Sequence, residues 1–210
     1  MNIDFVLAMS CAPPALLGLY KYKRVNKLFH PFILTIVLSL ITELSTSYFI
    51  SKEALWPYYY LAANIYLVIN VLLFHQFFLF SKISSEKYKW LYSAIFLILF
   101  LASAIFLNHP LKIFPAWLNV AYSLYLLGAG VKLLSVQVMD TKLPILRNPN
   151  FYIALGCILF YLYTLFTTIV SITLHNTLPL DWHIFKIDKV INVLHYLLFL
   201  IAILWMSKKN

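Results

Sequence analysis

The sequence predicts an all-α membrane protein, a single helical bundle over residues 1–210 that crosses the bilayer about seven times. Hydrophobic residues make up 63% of the chain and charged residues only 11%, against roughly 25% charged residues in a soluble domain. A chain with this composition would expose a largely apolar surface, which lipid solvates better than water does. Seven apolar stretches also approach the roughly 20 residues that cross the hydrocarbon layer: 4–20, 29–50, 57–81, 89–108, 115–136, 151–174 and 187–206.

The first stretch is the least regular of the seven. It is short, and Pro13-Pro14 interrupts it. Proline lacks the backbone donor that an interior helical position needs, so we expect a kink here. The connections between later stretches are short and contain turn signals such as Asn108-His109-Pro110.

The basic residues indicate the orientation of the bundle. Alternate connections hold most of them: Lys21, Lys23, Arg24 and Lys27, then Lys82, Lys87 and Lys89, then Lys142 and Arg147, then Lys208 and Lys209. The positive-inside rule places these connections in the cytoplasm, with the N-terminus outside and the C-terminus inside. The net charge of +9 therefore indicates topology and attraction to anionic lipid rather than nucleic-acid binding. The expected location is a bacterial cytoplasmic membrane.

Polar residues form a stripe on the second stretch. Thr35, Ser39, Thr42 and Thr46 recur at helical spacing, with Glu43 and Ser47 beside them. Glu43 is the only acidic residue well inside an apolar run. A charged group in a membrane span costs a few kcal/mol, so this stripe is expected to face the bundle interior or a partner.

Two further stretches carry polar residues on one face. On the third, Tyr60, Asn64 and His75 share a line, and Tyr66 and Asn70 lie on the adjacent line. On the seventh, Asp188, Asn192 and His195 share a face. We expect the second, third and seventh stretches to enclose a polar interior, with smaller contributions from the fifth and sixth. The candidate ligand or proton site comprises Ser39, Glu43, Asn64, His75, Asn192 and His195.

Three interpretations of this interior remain open. In the first, the polar side chains join helices by hydrogen bonds of about 0.6 kcal/mol each. In the second, Glu43 exchanges protons with His75 or His195, because histidine titrates near neutral pH and removal from water favours a neutral carboxyl. In the third, Glu43, His75 and His195 bind a metal ion, since one Glu with two His is a known zinc ligand set.

The third interpretation goes with a resemblance to the seven-helix membrane hydrolases that include alkaline ceramidases. The chain is similar in helix number and in having histidine on a late helix. That family has a paired HxxxH on one helix, whereas here Phe199 stands four residues after His195. The departure removes one ligand.

The whole chain also resembles a loose group of small bacterial seven-helix membrane proteins. The similarity lies in the acidic residue of Ile41-Thr42-Glu43-Leu44 and in the Tyr- and Asn-rich segment from Tyr58 to Asn70. Some of these proteins accompany partner systems, including RNA-guided defence. The resemblance implies an accessory or sensor role and identifies no functional residue.

The sequence thus favours a non-enzymatic membrane sensor, accessory or effector subunit. Its expected partners are the lipid bilayer and either a cytoplasmic protein or further copies of itself, with no cofactor. A small proton-coupled transporter or channel that uses Glu43 is the second hypothesis. An intramembrane metal-dependent hydrolase is the third.

Overall fold

The computed structural model describes residues 9–50, 52, 55–81, 116–139, 144–174 and 181–206. Within these ranges the regular structure is helical, without strands. The six α-helices are α1 (Ala12–Lys21), α2 (His30–Ile50), α3 (Trp56–Phe80), α4 (Ala116–Met139), α5 (Pro149–Leu174) and α6 (Asp181–Trp205). Short 3₁₀ turns precede α1, α2 and α5 at Met9–Cys11, Lys27–Phe29 and Ile145–Arg147.

Five of these helices are long and apolar enough to cross a membrane, which indicates an integral membrane protein. Their spanning parts are 19 to 25 residues long with mean hydropathies from 1.3 to 2.1, and about 20 residues suffice to span the hydrocarbon. They correspond to the second, third, fifth, sixth and seventh predicted stretches. The fourth predicted stretch, 89–108, lies outside the described residues.

The first predicted stretch differs from expectation in its described part. Helix α1 has 10 residues, which rise about 15 Å, roughly half of the hydrocarbon thickness. Pro13 and Pro14 lie in its first turn and therefore begin the helix instead of kinking it. The first turn tolerates proline because its N–H groups have no partner within the helix.

One end of the bundle, which we call the basic end, is marked by Lys21 and Arg147. The Lys21 ammonium donates to the carbonyl oxygens of Ile203 and Leu204 at 2.9 and 3.0 Å, so α1 caps the last turn of α6. The Arg147 guanidinium lies 5.9 Å from the centre of the Trp205 ring. Helices α1 and α6 therefore end here, and α5 begins here.

Helices α3 and α4 run in the same direction. At the basic end Phe80 of α3 lines a cleft with Asn26, Lys27 and Leu28. Gln137 of α4 accepts a hydrogen bond from Asn148, next to Arg147. Both helices thus end at the basic end, and each packs against an antiparallel neighbour, α3 against α2 and α4 against α5.

The half of the bundle nearer the basic end has a core of phenylalanine rings, which we call the aromatic cluster. It consists of Phe32, Phe74, Phe77 and Phe199, each at most 1% exposed. The ring centres of Phe32 and Phe199 are 4.7 Å apart, and those of Phe32 and Phe77 are 5.7 Å apart. These side chains come from α2, α3 and α6, so the cluster joins three helices.

Candidate functional site

A chain of hydrogen bonds crosses the middle of the bundle, and we call it the tyrosine–asparagine network. The hydroxyls of Ser39 and Tyr66 are 3.0 Å apart. The Asn70 amide donates to Tyr66 at 3.1 Å and to Tyr122 at 2.8 Å. The hydroxyls of Tyr122 and Tyr161 are 3.1 Å apart. The network therefore joins α2, α3, α4 and α5.

Counting donors gives the direction of these bonds. Asn70 has two amide hydrogens, and both are used on the two tyrosine oxygens. Each tyrosine hydroxyl has one hydrogen. Tyr66 donates its hydrogen to the Ser39 hydroxyl. The Ser39 hydroxyl donates in turn to the carbonyl of Thr35 at 3.0 Å. The hydroxyls on the Ser39 branch therefore all point away from Asn70.

Asn70 also decides whether the network can conduct protons. A proton wire requires each member to accept a proton on one side and release one on the other. The Asn70 nitrogen has no available lone pair and donates on both sides. With the amide reversed, its oxygen would accept from both tyrosines, and again no proton would pass. The network therefore passes no proton through this residue.

The polar stripe on α2 contacts other helices at fewer positions than the sequence predicted. Thr35 donates to the carbonyl of Pro31 at 3.1 Å, and Thr46 donates to that of Thr42 at 2.8 Å. Such bonds to the preceding turn are an ordinary way for threonine to satisfy its hydroxyl in a helix. Of these residues, Ser39 contacts α3 through Tyr66 and is close enough to interact with the buried hydroxyl of Tyr196 on α6.

Glu43 lies one turn of α2 beyond Ser39, on the side away from the basic end, and is half-buried. Asp188 on α6 and the hydroxyl of Tyr66 on α3 lie within electrostatic range of its carboxylate. Among the described residues its carboxylate has no hydrogen bond or ion pair. The structure thus places an acidic residue of α2 and an exposed one of α6 in the same half of the bundle, away from the basic end.

The two candidate histidines are buried but lie in separate environments. His75 bonds through Nδ1 to the Tyr125 hydroxyl on α4. His195 Nδ1 lies 3.0 Å from the carbonyl oxygen of Gly156 on α5, and because that oxygen can only accept, Nδ1 carries the proton. The His195 ring stacks on Phe160 with centres 4.5 Å apart. Both histidines join neighbouring helices.

A metal-binding cluster does not form in the part of the chain that the structure describes. No group of three or more His, Cys, Asp or Glu residues is close enough to hold an ion within these ranges. Glu43, His75 and His195 are all described, so these three do not form a joint ligand set. His109, His175 and the side chain of His183 lie outside the described residues.

Two of the predicted candidates lie outside the network, and two residues of the network were not predicted from the sequence. Asn64 and Asn192 are half-buried on α3 and α6. The network uses Tyr66 and Asn70, on the line adjacent to the one that holds Asn64 and His75. Tyr122 and Tyr161 were not predicted, because tyrosine in an apolar run gives the same pattern as any packed aromatic residue. Helices α4 and α5, the fifth and sixth predicted stretches, are also joined by a hydrogen bond from Asn119 to Thr168 at 3.0 Å.

Comparison with protein-family models, with curated proteins and with solved structures gives no match for this chain.

Proposed function

We propose that this chain is a non-enzymatic membrane sensor, accessory or effector subunit that acts through a cytoplasmic partner. The observation that supports this proposal is the donor pattern around Asn70. A buried network that joins four helices, and cannot pass protons through its central residue, suits a protein whose helices move between defined conformational states. It suits a proton path less well.

The aromatic cluster supports the same proposal. Phe32, Phe74, Phe77 and Phe199 pack between the tyrosine–asparagine network and the basic end. Interiors of this kind are close-packed and leave little room for water. A solute entering from the Glu43 side would meet packed rings before it reached the basic end. A signal can cross such a barrier as a movement of helices, whereas a solute cannot.

Glu43 is the proposed input of the sensor. Its carboxylate lies within electrostatic range of that of Asp188 on α6, and neighbouring like charges destabilise each other. Binding a proton or a cation would remove this repulsion and allow α2 and α6 to approach. Ser39, one turn away, would transmit the movement to the tyrosine–asparagine network.

A measurement of the distance between α2 and α6 at different pH values tests this input. Spin labels at Ile41→Cys and Ile187→Cys occupy exposed positions on the two helices, and the native cysteines are buried. The label–label distance in lipid nanodiscs should change between pH 5.5 and 8.5. Glu43→Gln, which cannot ionise, should abolish the change, whereas Ser45→Ala on the same helix should retain it. An unaltered pH response in Glu43→Gln would contradict the proposal.

We further propose that the basic end lies in the cytoplasm and that 89–108 also crosses the bilayer, which with the first stretch would give the seven predicted spans. What supports a crossing by 89–108 is the parallel direction of α3 and α4, since Ser81 and Ala116 lie at opposite ends of the bundle. Twenty helical residues rise about 30 Å, which matches the hydrocarbon layer.

Reporter fusions test this topology. Fusions after Lys82, Arg147 and Asn210 should report a cytoplasmic location, and a fusion after Trp182 should report an external one. The reason is the excess of basic residues on one side of the bundle. A periplasmic signal at Arg147 would contradict the orientation.

The second candidate function is a small proton-coupled transporter or channel. The presence of Glu43 on α2 and Asp188 on α6 in the same half of the bundle favours it, because carboxyl groups within a bundle can share a proton or bind a cation. Proton flux into liposomes separates the two candidates. Flux that is lost in Glu43→Gln would favour the transporter over the sensor.

A further inference from the structure

A cleft opens at the basic end between the start of α2 and the end of α3. It is lined by Asn26, Lys27, Leu28 and Phe80. Leu28 and Phe80 are apolar, and Phe80 is 58% exposed. The Asn26 side-chain oxygen is already engaged, since it accepts a hydrogen bond from the backbone N–H of Leu28 at 3.0 Å. The cleft therefore combines an apolar wall with one cation, Lys27.

The surroundings of the cleft are positively charged. Lys23, Arg24 and Lys27 are exposed on the connection between α1 and α2. Arg24 is held by Tyr20, whose hydroxyl accepts a hydrogen bond from the guanidinium at 3.1 Å. The described residues of α3 to α6 near this end, 76–81, 132–139, 144–152 and 200–206, include no acidic side chain. Within the described part of this end, an anion at the cleft would thus meet cations and no carboxylate.

The start of α2 adds to this positive potential. The 3₁₀ turn Lys27–Phe29 leads directly into α2, and the spanning unit runs from Lys27 to Phe49. The backbone N–H groups here are already engaged, that of Leu28 by the Asn26 side chain and those of Phe29 and His30 by the carbonyl oxygens of Asn26 and Lys27. The positive end of the helix dipole is what favours an anion at this position. Here the N-terminus coincides with the lysine that lines the cleft.

We propose that this cleft binds an anionic phospholipid. The phosphate contacts the Lys27 ammonium, and an acyl chain lies along Leu28 and Phe80. The apolar wall is the reason for choosing a lipid over a free phosphate ion, because a soluble anion gains nothing from an exposed phenylalanine. The position fits as well, since membrane-spanning helices end at the level of the lipid headgroups.

Native mass spectrometry of the full chain, released from nanodiscs with equal amounts of phosphatidylglycerol and phosphatidylcholine, tests this site. The wild type should retain phosphatidylglycerol preferentially. Lys27→Gln should lower the retained phosphatidylglycerol at least fivefold, and Phe80→Ser should lower it as well. Lys52→Gln is the matched control, because Lys52 is an exposed lysine just beyond α2 at the opposite end, and it should bind like the wild type.

Three results would overturn the proposal. Equal losses in Lys27→Gln and Lys52→Gln would mean that only total charge matters. Unchanged retention in Lys27→Gln would place the lipid elsewhere. Complete displacement by 10 mM inorganic phosphate, with no effect of Phe80→Ser, would indicate a site for the free anion. Circular dichroism of each variant confirms that the helices are retained, and none of these results depends on the proposed sensor function.

Discussion

The aromatic cluster and the tyrosine–asparagine network are neighbours with different sources of stability. Phe74 belongs to the first and Tyr161 to the second, and their ring centres are 6.1 Å apart. The cluster is held by close packing, in which shape and volume decide the energy. The network is held by hydrogen bonds, and their energy depends on the number of donor hydrogens and on the directions of these hydrogens.

This difference shows how one bundle can be rigid in one half and able to switch in the other. A packed ring cluster tolerates little change in volume and has one favourable arrangement. A hydrogen bond between membrane helices contributes only about 0.6 kcal/mol on average. A change of charge at Glu43, one turn from Ser39, therefore acts on the half of the molecule where the helices are held by weaker contacts.

The largest effect is expected in the aromatic cluster from Gly156→Ala. A Cβ at position 156 would lie 2.6 Å from Cε1 of Phe199 and 3.5 Å from Nδ1 of His195. Phe199 is buried among the other rings and cannot move without displacing them. Overpacking of this kind destabilises by about 1–3 kcal/mol. We expect a lower free energy of unfolding in detergent, measured by circular dichroism in denaturant.

Gly128→Ala is the matched control for this prediction. A Cβ at position 128 would have no heavy atom within 4 Å, and alanine favours a helix over glycine by up to about 1 kcal/mol. This variant should be as stable as the wild type or more stable. Equal stability of the two variants would contradict the claim that packing limits the aromatic cluster.

A smaller effect is expected in the network from Tyr122→Phe. The substitution removes the hydroxyl that accepts from Asn70 and contacts Tyr161. At about 0.6 kcal/mol for each interhelical bond, the loss should be about 1 kcal/mol. Tyr58→Phe, at a 54% exposed position, should have no effect on the same unfolding curve. A loss in Tyr122→Phe as large as in Gly156→Ala would remove the contrast between the two regions.

Some features of the candidate site followed from the sequence, and others did not. The stripe that contains Ser39 and Glu43 was recognisable because helical spacing gathers residues on one face whatever the neighbouring helices are. The actual partners of Ser39 were not recognisable. Tyr66 lies on α3 near the predicted line of Asn64 and His75 but not on it, and a small rotation of α3 decides which line faces α2.

The sequence by itself determined the membrane solvent, the apolar helices and the basic end, because these depend on composition and on the local order of residues along the chain. Only the tertiary structure decided that the polar interior includes Tyr122 and Tyr161 of α4 and α5, and that His75 and His195 lie apart from Glu43. The physical reason is that a hydrogen bond between helices depends on their relative rotation and height. Both are set by packing. A Cβ added at Gly130 would lie 3.3 Å from the Cβ of Cys157, so the absence of a side chain there lets α4 and α5 approach closely.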